Sequence, residues 1–222
     1  MIGKAKILLL AVFVAGSLFA GDEENDRLVT NTVFVAFDME TTGFNSENDR
    51  LVEIGAVKFR GDGSVLSSAS WLVNPQRDIP FYATEVHGIL TEMVTTAPVF
   101  SEVWPQFEAF CGDAVLLAHN AAFDVGFLLA ELERAGMNAP SMPIADTLAL
   151  FRKWFPHEKS CSLGKLTTSL GVPGETYHRA EADSFHIVNV FRIGIQKRDE
   201  LTMLRFEQDA GGYQWLDGRA LP

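Results

Sequence analysis

Cysteine is scarce in this chain. Cys111 and Cys161 are the only two among 222 residues, and they stand about fifty residues apart. Two such residues exclude a disulfide framework, and no Cys-x-x-Cys spacing offers a zinc site. Buried thiols, or at most a single disulfide, remain. Basic charge is also scarce. With 18 Lys and Arg against 29 Asp and Glu, the net charge is −11. That excludes a broad cationic face of the kind that grips nucleic acid through its phosphates alone. It does not exclude an enzyme whose positive charge comes from bound metal ions. No apolar run reaches the roughly 20 residues of a spanning helix. The chain has no internal repeat and no low-complexity tract. What is left, 47% apolar and 21% charged residues, is ordinary globular composition on a length that favours one domain.

The longest uncharged stretch is Ile7–Ala20. Lys4 and Lys6 precede it, and Gly21 and the acidic stretch Asp22–Asp26 follow. A basic start, a short apolar run and small residues near its end form the layout of a secretory signal. Residues 1–27 therefore read as a signal-like or membrane-tether segment, which suggests export or tethering through residues 1–21. A buried N-terminal helix and a mis-assigned start site are the alternatives. Residues 28–198 read as the folded domain and 199–222 as a tail of weak pattern.

Within the domain, Val33–Asp38, Arg50–Phe59 and Ser67–Val73 read as three strands. Gly61-Asp62-Gly63-Ser64 marks a hairpin turn, and two hairpin links imply an antiparallel meander. Asn74-Pro75 and Ile79-Pro80 break regular structure. Helices are then expected over 101–110, with Ser101 as cap, and over 121–135, where Phe123, Phe127, Leu128 and Leu132 recur at helical spacing. Others are expected over 147–154, 162–170 and 180–196, with short strands at 114–118 and 144–146. Strands first, then strands alternating with helices, make a mixed α/β sheet covered by helices.

Three segments carry carboxylates where a core does not want them. In "FVAFDMETTGF" (34–44), Asp38 and Glu40 are two apart on a strand, so they project to one face while Met39 packs on the other. In "LLAHNAAFDVGFL" (116–128), a strand runs into His119-Asn120, and Asp124 follows in the first turns of a helix. The helix dipole favours an acid there, but its neighbours are apolar, so it needs a partner or a metal. In "YHRAEAD" (177–183), His178 precedes a helix that carries Asp183. Singly, each has a structural reading: solvated acids at a strand end, a dipole-stabilising acid, a solvated histidine. Together, four carboxylates suit a hard divalent cation, and a pair of ions suits displacement at phosphorus. An imidazole such as that of His178 can accept the proton of an attacking water near neutral pH.

The order Asp-x-Glu, His-Asn-x-x-Phe-Asp, His-x4-Asp resembles the DEDDh (DnaQ-like) family of 3′–5′ exonucleases, in particular the epsilon-type proofreading domain of bacterial DNA polymerase III. The similarity runs from about Val33 to Lys197. It includes "LVEIGAV" (51–57), "VHGIL" (86–90), "IADTLAL" (144–150) and "CSLGKLTTSLGVP" (161–173). The resemblance implies a ribonuclease-H-like fold and makes 28–198 an exonuclease domain. Asp38, Glu40, Asp124 and Asp183 become the ligands of two Mg²⁺ ions, for which Mn²⁺ can substitute, and His178 becomes the general base. Thr41, Thr42 and Phe44 would meet the 3′-terminal nucleotide through backbone, hydroxyl and ring, Phe44 being otherwise a hydrophobic plug. Asn120 and His87 are substrate-wall residues or, alternatively, a helix N-cap and a packed loop residue. Glu53 and Asp146 would support the ligands or the structure around them.

The implied activity is release of nucleoside 5′-monophosphates from the 3′ end of single-stranded DNA by two-metal hydrolysis. The alternative is trimming of RNA, because sugar discrimination depends on the pocket around the 2′ position. A non-catalytic nucleic-acid-binding module is a third reading, weakened by the presence of all five residues. No sliding-clamp peptide or polymerase-binding element is recognised, which favours a stand-alone nuclease. The family resemblance implies the cytoplasm, against the suggestion of the N-terminal segment.

Overall fold

A computed structural model describes residues 27–173, 178–198 and 200–218. The signal-like segment lies outside the described residues apart from Arg27. Among the described residues no helix is long and apolar enough to cross a membrane. The expectation of export or tethering therefore has no support in the structure and is withdrawn.

After a 3-10 turn at Val29–Asn31, strands β1 (Val33–Thr41), β2 (Leu51–Arg60) and β3 (Val65–Leu72) form the expected meander. Two short helices follow, α1 (Phe81–His87) and α2 (Thr91–Val94), in the region where prolines mask the pattern. Then come α3 (Phe100–Cys111), β4 (Val115–Ala118), α4 (Ala122–Arg134), β5 (Pro143–Asp146), α5 (Thr147–Trp154), α6 (Leu163–Ser169) and α7 (Ala180–Ile195). Ser101 does not cap α3. The helix begins one residue earlier, and the Val99 N–H donates to Glu102 Oε2 at 3.1 Å. The 199–222 segment contributes α8 (Met203–Ala210) and β6 (Tyr213–Trp215). Both cysteines are free thiols, Cys111 buried and Cys161 half-buried.

The six strands lie in the order β3-β2-β1-β4-β5-β6. β4 and β5 run parallel to β1, while β2, β3 and β6 pair antiparallel to their neighbours. This is the ribonuclease-H-like mixed sheet. Alternation along β1 sends Val35, Phe37 and Met39 into a core shared with α3 and α4. It sends Phe34 and Ala36 into a second core on the opposite face, shared with α5, α7 and α8. Asp38 and Glu40 continue the second set, so the strand aims both acids at the α7 side.

Gly55 decides how close α7 can come. A Cβ on Gly55 would sit 2.0 Å from the Glu181 backbone nitrogen, so only a glycine lets the first turn of α7 rest on β2. The Ser184 hydroxyl bonds the Gly55 carbonyl at 3.0 Å and fixes the contact. That contact delivers Asp183 to the end of β1.

Candidate active site

Because β1, β4 and β5 are parallel, their carboxyl ends fall side by side, the usual location for a site in such sheets. β1 ends in Asp38 and Glu40, β4 in the His119-Asn120 turn, and β5 in Asp146. One ligand oxygen from each of Asp38, Glu40 and Asp183 can be chosen so that all lie within 4.8 Å of one another. Asp124, buried in the first turn of α4, is outside that tight set yet close enough to raise the Asp38 pKa. His178 is exposed, and its backbone N–H donates to Asp183 Oδ2 at 2.9 Å. Asp38, His178 and Asp183 line one cavity of about 530 Å³ together with His119, Leu163 and Gly164. The structure thus brings all five expected residues to one end of the sheet.

The cluster is electrostatically strained. Burial, then Asp124, Asp183, Glu40 and Glu53, push the Asp38 carboxyl well above its ordinary range. Burial and the neighbouring Asp183 and Glu53 push Glu40 up to about 8, against the opposing pull of Arg179. Burial pushes Asp124 up to about 8 as well, and it raises Asp183 despite the bond from His178. Carboxylates raised in this way by burial and one another carry too much negative charge for an apolar setting. An oxygen-rich, acidic donor set of this kind fits a hard divalent cation, so the residues present suit a metal.

Around the ligands, side chains act through position. Glu53, buried and opposite Glu40 in the β1–β2 ladder, takes a two-point contact from Arg179, Nε to Oε2 at 3.0 Å and Nη2 to Oε1 at 2.7 Å. It also accepts from the Ala180 N–H and the Ser70 hydroxyl. Burial alone would raise its pKa, but the bonds from Arg179 and Ser70 outweigh burial and lower it. Glu53 therefore moors the residues on either side of Arg179, His178 and Ala180. Asp146 caps α5 through the Leu148 N–H at 2.8 Å and also accepts from the Asn120 N–H at 3.0 Å. Asn120 and His178 are non-glycine residues at left-handed φ, 68° and 61°. Such backbone persists where surrounding bonds hold it.

The expected substrate wall is mixed. Phe44 is 83% exposed, so it does not plug the core. The Thr41 and Thr42 hydroxyls bond internally, to the Gly43 carbonyl at 2.6 Å and Asp49 Oδ1 at 3.3 Å. They shape the 43–50 loop, and the Thr42 backbone is tied as well, its N–H donating to the Arg50 carbonyl at 2.8 Å and its carbonyl accepting from the Tyr82 hydroxyl at 3.2 Å. His87 is buried at 4%. It accepts from the Ile89 N–H at 3.0 Å and packs by the Thr41 backbone, so it supports the wall from behind. Asn120 is exposed beside the cavity, and the residue preceding α4 is Ala121, which makes no side-chain cap. Three positioning residues were not singled out from sequence. Arg179 lies inside the quoted "YHRAEAD", Gly55 is a glycine inside a strand pattern, a mark of close approach, and Arg134 holds the Ser46 and Glu47 carbonyls of the loop.

The Exonuclease (RNase_T) family model matches residues 35–191. The chain belongs to this exonuclease family. It is therefore a hydrolase of the 3′–5′ exonuclease class and DEDDh type, and the family depends on divalent metal. Among curated relatives, the PolC-type DNA polymerase III of Clostridium perfringens is 41% identical over 167 residues, 75% of this chain but 11% of the relative. The PolC-type polymerase of Bacillus cereus is 35% identical over 178 residues, 78% of this chain and 12% of the relative. The chain thus spans about a ninth of the length of these relatives. Among solved structures, Exonuclease X in complex with 5′ overhanging duplex DNA superposes with a TM-score of 0.64 at 25% identity. The match covers 80% of this chain and 99% of that one. The nuclease domain of 3′hExo, a DEDDh member bound to rAMP, shares the fold with a TM-score of 0.69 at 15% identity, covering 79% and 97%.

Proposed function

We propose that this exonuclease removes nucleotides singly from the 3′ end of single-stranded DNA, releasing nucleoside 5′-monophosphates. The observation that carries the reading is the convergence of Asp38, Glu40 and Asp183 within 4.8 Å, with Asp38 and Asp183 lining a cavity that His178 shares. Similarity to PolC-type DNA polymerase III and to an exonuclease solved on DNA supports DNA as the substrate.

Asp38, Glu40, Asp124 and Asp183 would hold two divalent cations, Mg²⁺ or Mn²⁺. Those cations, when bound, supply positive charge to the phosphodiester and acidity to a nearby water. The chain's own residues do the rest. Thr41, Thr42 and Phe44 seat the terminal nucleoside, the ring offering a stacking face. His178 accepts the proton of the attacking water as its oxygen bonds to phosphorus. The bond from phosphorus to the preceding 3′-oxygen breaks, and that oxygen takes up a proton. The products are a nucleoside 5′-monophosphate and a strand shorter by one residue. The His178 backbone bond to Asp183 and the Glu53–Arg179 clasp hold the base at a fixed distance from the ligands.

The test is mononucleotide release from a labelled single strand with Mg²⁺ or Mn²⁺. Asp124→Ala should lower the rate by about 10³-fold, roughly 4 kcal/mol of lost transition-state stabilisation. No release by the wild type, or undiminished release by the variant, would sink the reading. Matched DNA and RNA oligomers in identical salt test the choice of sugar: a faster rate on RNA would reassign the substrate and leave the chemistry in place.

A further inference from the structure

A second cavity, of about 690 Å³, adjoins the catalytic one: His119 and Leu163 line both. Its remaining wall includes Asn120, Arg152, Lys159, Ser160 and Ser162. In a chain of net charge −11, beside four carboxylates, this wall is basic. Arg152 and Lys159 are exposed, and neither forms an ion pair among the described residues. The acid in the wall, Glu158, already accepts from the Ser169 hydroxyl at 2.6 Å. The wall is also fixed in place. His119 Nδ1 pairs with the Thr147 hydroxyl at 3.1 Å, and the Asn120 backbone is tied to Asp146.

Topology gives this cavity a direction. The 41–50 wall that would seat the terminal nucleoside belongs to the β1–β2 connection. The second cavity is built on the ends of β4 and β5 and on α5, which lie on the other side of β1. With a phosphodiester at the carboxylates and its 3′ nucleoside on the β2 side, the rest of the strand leaves toward β4. There it meets two free cations, two hydroxyls and an amide, the groups that hold phosphates without reading bases. This addresses how an acidic enzyme retains an acidic polymer.

Resting on the exonuclease reading, we propose that the second cavity is a phosphodiester track. Arg152 and Lys159, aided by Asn120, Ser160 and Ser162, hold the backbone of a single strand on the 5′ side of the scissile phosphate.

Cys161 sits in this wall half-buried, while Cys111 is buried elsewhere, so a thiol probe reports on the track without requiring turnover. The full chain is alkylated with iodoacetamide at about pH 9, where thiolate forms, in EDTA, and Cys161 is followed by mass spectrometry. A single-stranded decanucleotide should slow its modification roughly fivefold. Inorganic phosphate and a nucleoside monophosphate at equal phosphate concentration should not. In Arg152→Ala and Lys159→Ala, protection should fall and KM for the strand should rise roughly fivefold. The slope of log affinity against log salt should shrink by about 0.7 for each cation removed. Lys197→Ala, which removes an exposed cation in the turn after α7, is the control and should change none of the three. Equal protection by phosphate, or no protection together with unaltered KM and salt slope in both variants, overturns the track. Protection without any mononucleotide release by the wild type would instead refute the exonuclease reading and leave the track standing.

Discussion

Glu53 shows how much of this site depends on side chains that touch no substrate. It sits in a sequence, "LVEIGAV", that reads as a buried strand, and its burial is relieved by the two-point bond to Arg179. Glu53→Gln keeps the shape but removes the charge that holds Arg179. We expect a loss of stability of roughly 1–3 kcal/mol, because the half-exposed Arg179 can rehydrate while the buried amide is left poorly matched. kcat should fall as the His178 backbone loosens. Denaturant midpoint and kcat measured together check this, and an unchanged pair would refute the positioning role. At this scale the clustered acids were legible, since each stands out against an apolar background. The wall residues were less so. That Phe44 is exposed while His87 is buried depends on how the 43–50 loop and α1 fold over the strand end, and no local pattern carries it.

At the scale of elements, the placement of α7 decides whether the third ligand segment reaches the first. Periodicity locates the helix within a residue, because Val188, Phe191 and Ile195 form an apolar stripe. The distance of that helix from the sheet is set by Gly55. Gly55→Ala would drive a methyl into the backbone of Ala180 and Glu181. It should cost at least about 1–3 kcal/mol as overpacking does, and it should weaken metal binding by displacing Asp183. Calorimetric titration with Mn²⁺ reads the second effect, and native affinity in a folded Gly55→Ala protein would show that the helix can yield. The helices α1 and α2 escaped sequence analysis because they are short and bounded by proline, with too few turns for a period to show. The α8 and β6 elements escaped for a different reason. Their apolar residues are few, and they become core only by closing over Phe34 and pairing with β5. Phe206 is fully buried, so Phe206→Ala should destabilise the protein by roughly 3–5 kcal/mol. A negligible shift on chemical denaturation would make the segment an appendage.

For the whole molecule, the clustered carboxylates couple stability to pH and metal. Glu40 rises from 4.5 and Asp124 from 3.8, both to about 8. Across that window the folded protein keeps protons that the unfolded chain has released, so in the absence of metal, stability falls as pH rises. A divalent cation binds the deprotonated cluster and reverses the trend. We expect chelated protein to melt at a lower temperature near pH 8 than near pH 6, with excess Mg²⁺ or Mn²⁺ restoring most of the difference. A melting temperature indifferent to both variables would remove the electrostatic argument for the site. The N-terminal apolar segment is a place where linear pattern stands alone: charge and length suggested a signal, and the segment lies outside the described residues apart from Arg27. By itself, the sequence determined the order of the three meander strands and of the elements from α3 to α7, because periodicity is local. It also singled out the four acids proposed to bind metal, because a carboxylate beside apolar neighbours needs a reason. Tertiary structure alone decided that four acids from three distant segments meet, that Glu53 and Gly55 set their spacing, and that a basic cavity adjoins them. Each of these depends on which strand ends the parallel pairing of β1, β4 and β5 brings together.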